Sequence, residues 1–212
     1  MSTKINLKEL ERKAWTSYFQ DGLWDIYLGL LLLAMAVWAL LSDVGFSESW
    51  GMAIYIGLEV LAILVLLAGK KMITVPRMGR VKFGPRRKAK LNWVRVVLFI
   101  SILVGAGVFV AGLAVRSDRP EWLNASFFLP AAWVVNAIVV FSLGAYFLDF
   151  SRLYLIGVMY ALAVPLDIVF RKLADIDLSF IAFGVPAMVI LITGLGVFIR
   201  FLHDYPLLPE EA

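Results

Sequence analysis

Three acidic residues stand inside long apolar stretches of the 212-residue chain, where lipid or a dry bundle would surround them: Asp25, Glu59 and Asp167. Asp25 lies near the start of its stretch, Glu59 near the middle, and Asp167 towards the far end. An ionisable side chain inside a membrane is costly, and it often marks a path for protons or ions. These three acids and Asn136, an amide in a fourth stretch, are therefore the candidate residues for binding a substrate or a proton.

Structural roles are the alternative for the same residues. Asp167 precedes Arg171 by four positions, so the two side chains can pair on one helix face. Asp25 can be neutralised by Arg95 or Arg152 from another helix. Glu59 has no basic residue within its own apolar stretch, and a protonated Glu59 could donate a hydrogen bond to Asn136 or to a backbone carbonyl. Both roles remain open at each acid.

The elements that position these residues are long apolar blocks. Hydrophobic residues make up 62% of the chain and charged residues only 17%, less charge than a soluble domain carries. The apolar residues fall in six blocks of about 20 residues, the length that crosses a bilayer. The blocks are 22–41, 49–69, 93–115, 124–147, 153–170 and 178–202. Because backbone groups in lipid must be satisfied within the segment, the sequence predicts an all-α membrane bundle of about six transmembrane helices.

The remaining segments divide the chain further. Residues 1–21 carry charges between apolar positions at helical spacing, which predicts a cytoplasmic amphipathic helix at the membrane interface, with a soluble cap as the alternative. The six-helix domain is predicted for 22–202 and a short tail for 203–212. Within the domain, 70–92 is predicted as a basic loop. Two short β-like runs, Ile73-Thr74-Val75 and Arg80-Val81-Lys82-Phe83, indicate a small hairpin within that loop, with its turn at Pro76–Gly79.

Basic residues predict the orientation. With six spans, one side of the membrane holds 16 Lys and Arg residues and the other side holds four, which together are the 20 in the chain. Since short loops rich in Lys and Arg stay in the cytoplasm, both termini and the 70–92 loop are predicted to be cytoplasmic. The chain is thus predicted to be a multi-pass protein of the cell membrane.

The basic loop also indicates a partner. Nine Lys and Arg residues between positions 70 and 90 exceed what orientation requires, and such clusters attract anionic headgroups. The residues predicted to contact anionic lipid are Arg77, Arg80, Lys82, Arg86, Arg87 and Lys88. Nucleic acid is not a predicted partner, because the excess charge is confined to the membrane edge. A second copy of the chain or another membrane protein remains open as a partner.

Cofactor and enzyme signatures are absent from the sequence. The chain has no cysteine and one histidine, which excludes thiolate and histidine-rich metal sites. It contains no phosphate-binding glycine loop, no H-E-x-x-H and no G-x-S-x-G motif. No catalytic residue, metal or cofactor is therefore predicted, and an enzyme is not the favoured class.

One short pattern occurs twice. Tyr18-Phe19-Gln20-Asp21 resembles Tyr146-Phe147-Leu148-Asp149, and a glycine follows each aspartate after eight positions. The pattern hints that the first and fifth helices are related in parallel, although chance explains so short a match better.

Three functions fit these features. A small transporter or permease with a central acidic site at Glu59 requires that water reach that residue. A non-catalytic accessory or lipid-interacting scaffold requires a dry bundle and a partner-sized surface. A membrane-embedded enzyme acting on lipids requires polar groups that converge around Asp21, Asp25 and Arg152.

Overall fold

A computed structural model of the chain describes residues 19–78, 84–114, 125–174 and 178–206. The predicted amphipathic helix lies outside the described residues except for positions 19–21. Six long helices follow in the order α1 (Leu23–Asp43), α2 (Glu48–Gly69), α3 (Pro85–Ala114), α4 (Ala125–Leu148), α5 (Arg152–Ala174) and α6 (Ser179–Asp204).

All six helices are long and apolar enough to cross a membrane. The predicted fold class is therefore confirmed: the chain is an all-α, multi-pass membrane protein whose helices contact lipid. The helix bounds lie close to the predicted blocks, except that α3 begins at Pro85 rather than near position 93. Arg86, Arg87, Lys88 and Lys90 thus belong to the helix itself.

The segment after α2 differs from its prediction. Helical structure continues through a π-helical turn, Lys70–Thr74, and a further α-helical turn, Val75–Met78. The strand predicted at Ile73, Thr74 and Val75 is wrong, and the second predicted run, Arg80-Val81-Lys82-Phe83, lies outside the described residues. The β-branched residues favour a strand locally, but extending an existing helix avoids the cost of nucleating a new element. Since α3 begins at Pro85, most of the 70–92 stretch that was predicted as loop is helical.

The chain divides into two compact units. The first comprises Met1–Arg87 and Gly184–Ala212, and within it α1 and α2 form an antiparallel hairpin. Leu23 and Ile26 of α1 pack against Leu66 of α2, with Leu191 and Phe198 of α6 around them. The buried face of α1 recurs at helical spacing and consists of Asp21, Asp25, Gly29, Leu32 and Ala36.

The second unit comprises Lys88–Phe183. Helices α4 and α5 form its hairpin, and an added Cβ at Gly157 of α5 would lie 2.4 Å from Cβ of Phe141 on α4. The indole of Trp133 donates to the carbonyl oxygen of Tyr160 at 2.7 Å, which links the same two helices. In contrast, no residue of the apolar span Arg87–Gly107 in α3 is buried. Among the described residues, α3 therefore has the smallest buried share of the six spans.

Candidate functional site

Two buried acids lie at the start of α1. Asp21 is completely buried and Asp25 is 1% exposed. Asp21 Oδ1 accepts a hydrogen bond from the backbone N–H of Leu23 at 3.2 Å, so this side chain caps the first turn. Asp25 stands within that turn. Both carboxyls thus lie where the helix dipole and the free N–H groups favour negative charge.

The counter-charge comes from the π-helical turn that follows α2. Lys70 Nζ lies 2.7 Å from Asp21 Oδ2, and the Thr74 hydroxyl donates to the same oxygen at 2.6 Å. Asp21 therefore accepts three hydrogen bonds, two of them from side chains of the π-helical turn. Lys70 also interacts electrostatically with Asp25. One buried ammonium thus serves two buried acids, and we refer to Asp21, Asp25, Lys70 and Thr74 as the acid–lysine cluster.

Two glycines let α6 approach the cluster closely. Gly22 has φ +84°, and a Cβ there would lie 2.5 Å from the carbonyl oxygen of Gly194. A Cβ at Gly194 would lie 2.9 Å from Cβ of Asp25. Any larger side chain at either position would push α6 away from the acids. The close approach of α6 contributes to the burial of both carboxyls.

Glu59 lies in the same hairpin as the cluster. It is partly buried, and the Tyr55 hydroxyl donates to Glu59 Oε1 at 2.5 Å. Glu59 also interacts electrostatically with Tyr27 of α1. The partners that the sequence suggested for Glu59 were Asn136 and a backbone carbonyl, and the Tyr55 hydroxyl one turn away was not among them. Hydrogen bonding between Glu59 and Asn136 stays a prediction, since the two residues belong to different units.

The depth of Glu59 follows from the register of the hairpin. Gly69 faces Leu23 and Gly51 faces Trp38, so Glu59 stands at about the level of Leu32. At 1.5 Å per residue, that level is about 10 Å from Asp25 along the helix axis. The hairpin therefore places acids at two depths, one group at the end of α1 and one near mid-helix.

Asp167 and the arginines that were considered as partners of the buried acids have local contacts. Asp167 Oδ1 accepts a hydrogen bond from Arg171 at 3.2 Å, which is the structural alternative considered for this acid. Arg171 also donates to the buried Ser179 hydroxyl at 2.6 Å and so joins the end of α5 to the start of α6. Arg152 lies over the Phe150 ring at 5.1 Å. Arg95, considered as a partner for Asp25, donates to Asn92 at 3.4 Å.

The residues predicted to contact anionic lipid are only partly described. Arg77 donates to the carbonyl oxygen of Ile73 at 3.2 Å. Arg87 is half-buried and Lys88 is exposed. Arg80 and Lys82 lie outside the described residues, and so does the side chain of Arg86.

Sequence reasoning missed two members of the cluster, Lys70 and Thr74. It counted Lys70 among the charges that orient the loop, yet this side chain is only 11% exposed. A usable signal was present, because Lys70 follows an apolar block directly and so falls at the same end of the hairpin as Asp21 and Asp25. Thr74, four positions later, carried no comparable signal.

Comparison with protein-family models, with curated proteins and with solved structures finds no match. Within the described ranges, no group of three or more His, Cys, Asp or Glu side chains could hold a metal ion. Function is therefore inferred from the residues of this chain alone.

Proposed function

We propose that the chain is a small proton-linked membrane carrier, with its ion-handling groups in the α1–α2 hairpin. The observation that supports this proposal best is the sharing of one buried lysine, Lys70, between two buried acids. Charged groups at this burial are costly, and in membrane helices they commonly belong to ion pathways. A scaffold that required only packing would gain more stability from apolar residues at the same positions.

The two acids have different environments, which assigns them different roles. Asp21 accepts hydrogen bonds from Leu23, Lys70 and Thr74, and in this proposal it anchors the hairpin. Asp25 stands within the first turn of α1 and interacts electrostatically with the same lysine. Two buried acids that share one counter-charge are an arrangement in which one acid can exchange a proton. In this proposal Asp25 is the exchanging member.

Glu59 is the second proton-binding group of the proposed path. Its hydrogen bond from Tyr55 and its interaction with Tyr27 give it polar neighbours near mid-helix. Because the separation along the axis from Asp25 is about 10 Å, a proton would cross it through water or through the tyrosine hydroxyls. The carried substrate is not specified by these residues, so the experiment measures the proton itself.

Proton movement in vesicles tests the proposal. The purified protein is reconstituted in liposomes that enclose a pH-sensitive dye, and a potassium diffusion potential drives proton entry. We expect entry above that of protein-free liposomes, and its loss in Asp25→Asn and Glu59→Gln, whose amides keep shape but cannot titrate. Asp149→Asn is the matched control, because it removes an exposed acid.

The outcomes separate function from folding. Each variant is first checked for a monodisperse elution profile and an unchanged helical circular-dichroism spectrum. Wild-type entry at the rate of empty liposomes would contradict the proposal, as would full activity in both acid variants. A folded variant without activity supports it, provided that Asp149→Asn remains active.

A second candidate function, a lipid-interacting scaffold, is favoured by the charge of one segment. No Asp or Glu occurs between positions 60 and 117, whereas nine Lys and Arg residues lie between 70 and 90. We propose that this segment faces the cytoplasmic leaflet and holds anionic lipid there. In nanodiscs, anionic lipid should raise the unfolding temperature more for wild type than for Arg87→Gln/Lys88→Gln. Arg200→Gln, which removes another exposed arginine, is the control.

The orientation on which the scaffold depends can be tested separately. The chain has no native cysteine, so a single Pro85→Cys variant reports on which side of the membrane position 85 lies. In intact cells it should resist a membrane-impermeant thiol reagent and react after lysis. Labelling in intact cells would show that position 85 faces outward. The segment would then not face the anionic lipid of the cytoplasmic leaflet.

A further inference from the structure

A groove of about 410 Å³ lies between α3 and α4 in the second unit. Ten residues line it, and eight of these are apolar. It extends from Ala132 to Leu143 on α4 and from Val97 to Val104 on α3. The two polar residues, Ser101 and Asn136, stand one on each helix. No charged residue lines the groove, so its ligand is uncharged in the part that it contacts.

The dimensions of the groove favour a slender occupant. Ala132 and Leu143 are 11 positions apart, which corresponds to about 16 Å at 1.5 Å per residue. A helical segment of that length, about 10 Å in diameter, would fill roughly 1,200 Å³. The open space between the two helices, about 830 Å³ including the part that opens outward, is smaller than that volume, and the groove itself falls within the range of small-molecule pockets. A single acyl-like or isoprenoid-like chain fits these dimensions better than another helix does.

Asn136 indicates that the bound molecule also needs a polar group. Its amide has no hydrogen-bond partner within the part of the chain that the structure describes. Asn136 is 11 residues after Ala125 and 12 before Leu148, so it stands about 17 Å from either end of α4. An amide without a partner at mid-membrane depth is costly, because lipid offers no hydrogen bonds there. Ser101 can donate to its own helix backbone, but an asparagine amide needs an outside partner.

We propose that this groove binds a lipid-soluble molecule with a slender apolar chain and a neutral carbonyl or hydroxyl group, the chemistry of a membrane quinone. The apolar walls hold the chain, and the Asn136 amide hydrogen-bonds the polar group. An ordinary phospholipid meets only half of this requirement. Its ester carbonyls lie at the edge of a hydrocarbon core about 30 Å thick, far from Asn136, so its acyl chain would fill the groove and leave the amide without a partner.

Photolabelling tests this proposal on the full-length protein in nanodiscs. The probe is a short-chain ubiquinone analogue with a photoreactive diazirine in its tail, and decylubiquinone is the competitor. Mass spectrometry should place the adduct on α3 or α4 residues of the groove, and competition should be saturable. Loss of one neutral hydrogen bond should weaken competition about tenfold in Asn136→Leu, with recovery in Asn136→Gln.

Two further variants separate this site from general partitioning into lipid. Val139→Phe fills the groove and should abolish the adduct, whereas Ile192→Phe enlarges a lipid-exposed residue on α6 and should leave labelling unchanged. Labelling that does not saturate, or that is equal in all four variants, would overturn the proposal. It would also be overturned if Asn136→Leu converted a dimer into a monomer without any effect on labelling, because the amide would then pair with a second copy. Since neither Glu59 nor the acid–lysine cluster takes part, this result is independent of the proton assay.

Discussion

Asp21 and Asp149 occupy the same position in the two copies of the short repeated pattern, but their surroundings differ sharply. Each comes just before a helix, α1 or α5, and each pairs with a lysine from another helical segment. The Asp21–Lys70 distance is 2.7 Å and the Asp149–Lys90 distance is 3.0 Å. The side chains of the first pair are 0% and 11% exposed, whereas those of the second are 42% and 36% exposed.

The difference indicates that the contribution of an ion pair to stability depends on its burial more than on the distance between its charged atoms. The exposed pair exchanges readily with water, so its two charges gain little from each other. The buried pair has lost its hydration, and each charge depends on the other and on the Thr74 hydroxyl. The buried position is therefore the one where removing a single partner has a large consequence.

The same pattern also places a glycine eight positions after each aspartate. An added Cβ at Gly29 would lie 2.7 Å from the Leu191 side chain, and one at Gly157 would lie 2.4 Å from Phe141. Both glycines thus permit a close helix contact. The shared features are a paired aspartate before the helix and a close-packed glycine two turns into it, and both are packing devices. The acid–lysine cluster is what distinguishes the first copy.

The largest expected effect is the loss of Asp21. Asp21→Asn removes the negative partner of buried Lys70, so the free energy of unfolding should fall by about 3–5 kcal/mol. Asp149→Asn should cost at most about 1 kcal/mol, because its pair is exposed. Unfolding in mixed detergent micelles, followed by circular dichroism, measures both. Equal losses in the two variants would remove the distinction between the pairs.

A smaller effect is expected at Gly22. Gly22→Ala should cost about 2–4 kcal/mol, because it adds strain at a positive φ to a clash with α6. Gly45 is the matched control, since it also has positive φ but has nothing within 4 Å of an added Cβ. Gly45→Ala should therefore cost only about 1–2 kcal/mol. The same unfolding assay applies, and the contact with α6 would be refuted if Gly45→Ala were the more damaging substitution.

The smallest effect concerns one hydroxyl. Thr74→Val removes a donor to Asp21 and keeps the side-chain shape, so it should cost about 1–2 kcal/mol. Thr193→Val is its control, because the exposed Thr193 hydroxyl donates only to the Val189 carbonyl of its own helix. That substitution should be nearly neutral. A neutral Thr74→Val would mean that Lys70 and the helix N-terminus alone satisfy Asp21.

The helices could be predicted because lipid imposes a simple rule on sequence. A block of about 20 apolar residues has one stable form in a bilayer, and all six predicted blocks became helices. The buried face of α1 could also be predicted, because Asp21, Asp25 and Gly29 recur at helical spacing. The turn after α2 could not, because Ile73 and Val75 favour a strand locally, and the continuing helix overrode that preference.

The acid–lysine cluster could be predicted only in part. Asp25 was recognised from its place in an apolar block, but its relation to Lys70 depends on how α1 and α2 pack. Lys70 and Asp21 are 49 positions apart, and a single sequence does not show that two such distant residues are in contact. Similarly, the sequence placed Asn136 among the candidate residues but gave no indication of the groove that it lines. Helical spacing identifies faces, whereas partners across helices require the structure.

The proposed proton-binding role of Asp25 and Glu59 is tested most directly by infrared difference spectroscopy of the carboxyl stretch. Spectra of the reconstituted wild type are recorded as pH changes from about 5 to 9, the range in which a coupling group must exchange its proton. We predict a protonated-carboxyl band that titrates in this range, with one part lost in Asp25→Asn and another in Glu59→Gln. Asp149→Asn should not alter these two components. A carboxyl band that stays constant across the range, or that is unaffected by both substitutions, would contradict the account and assign the buried acids to structure alone.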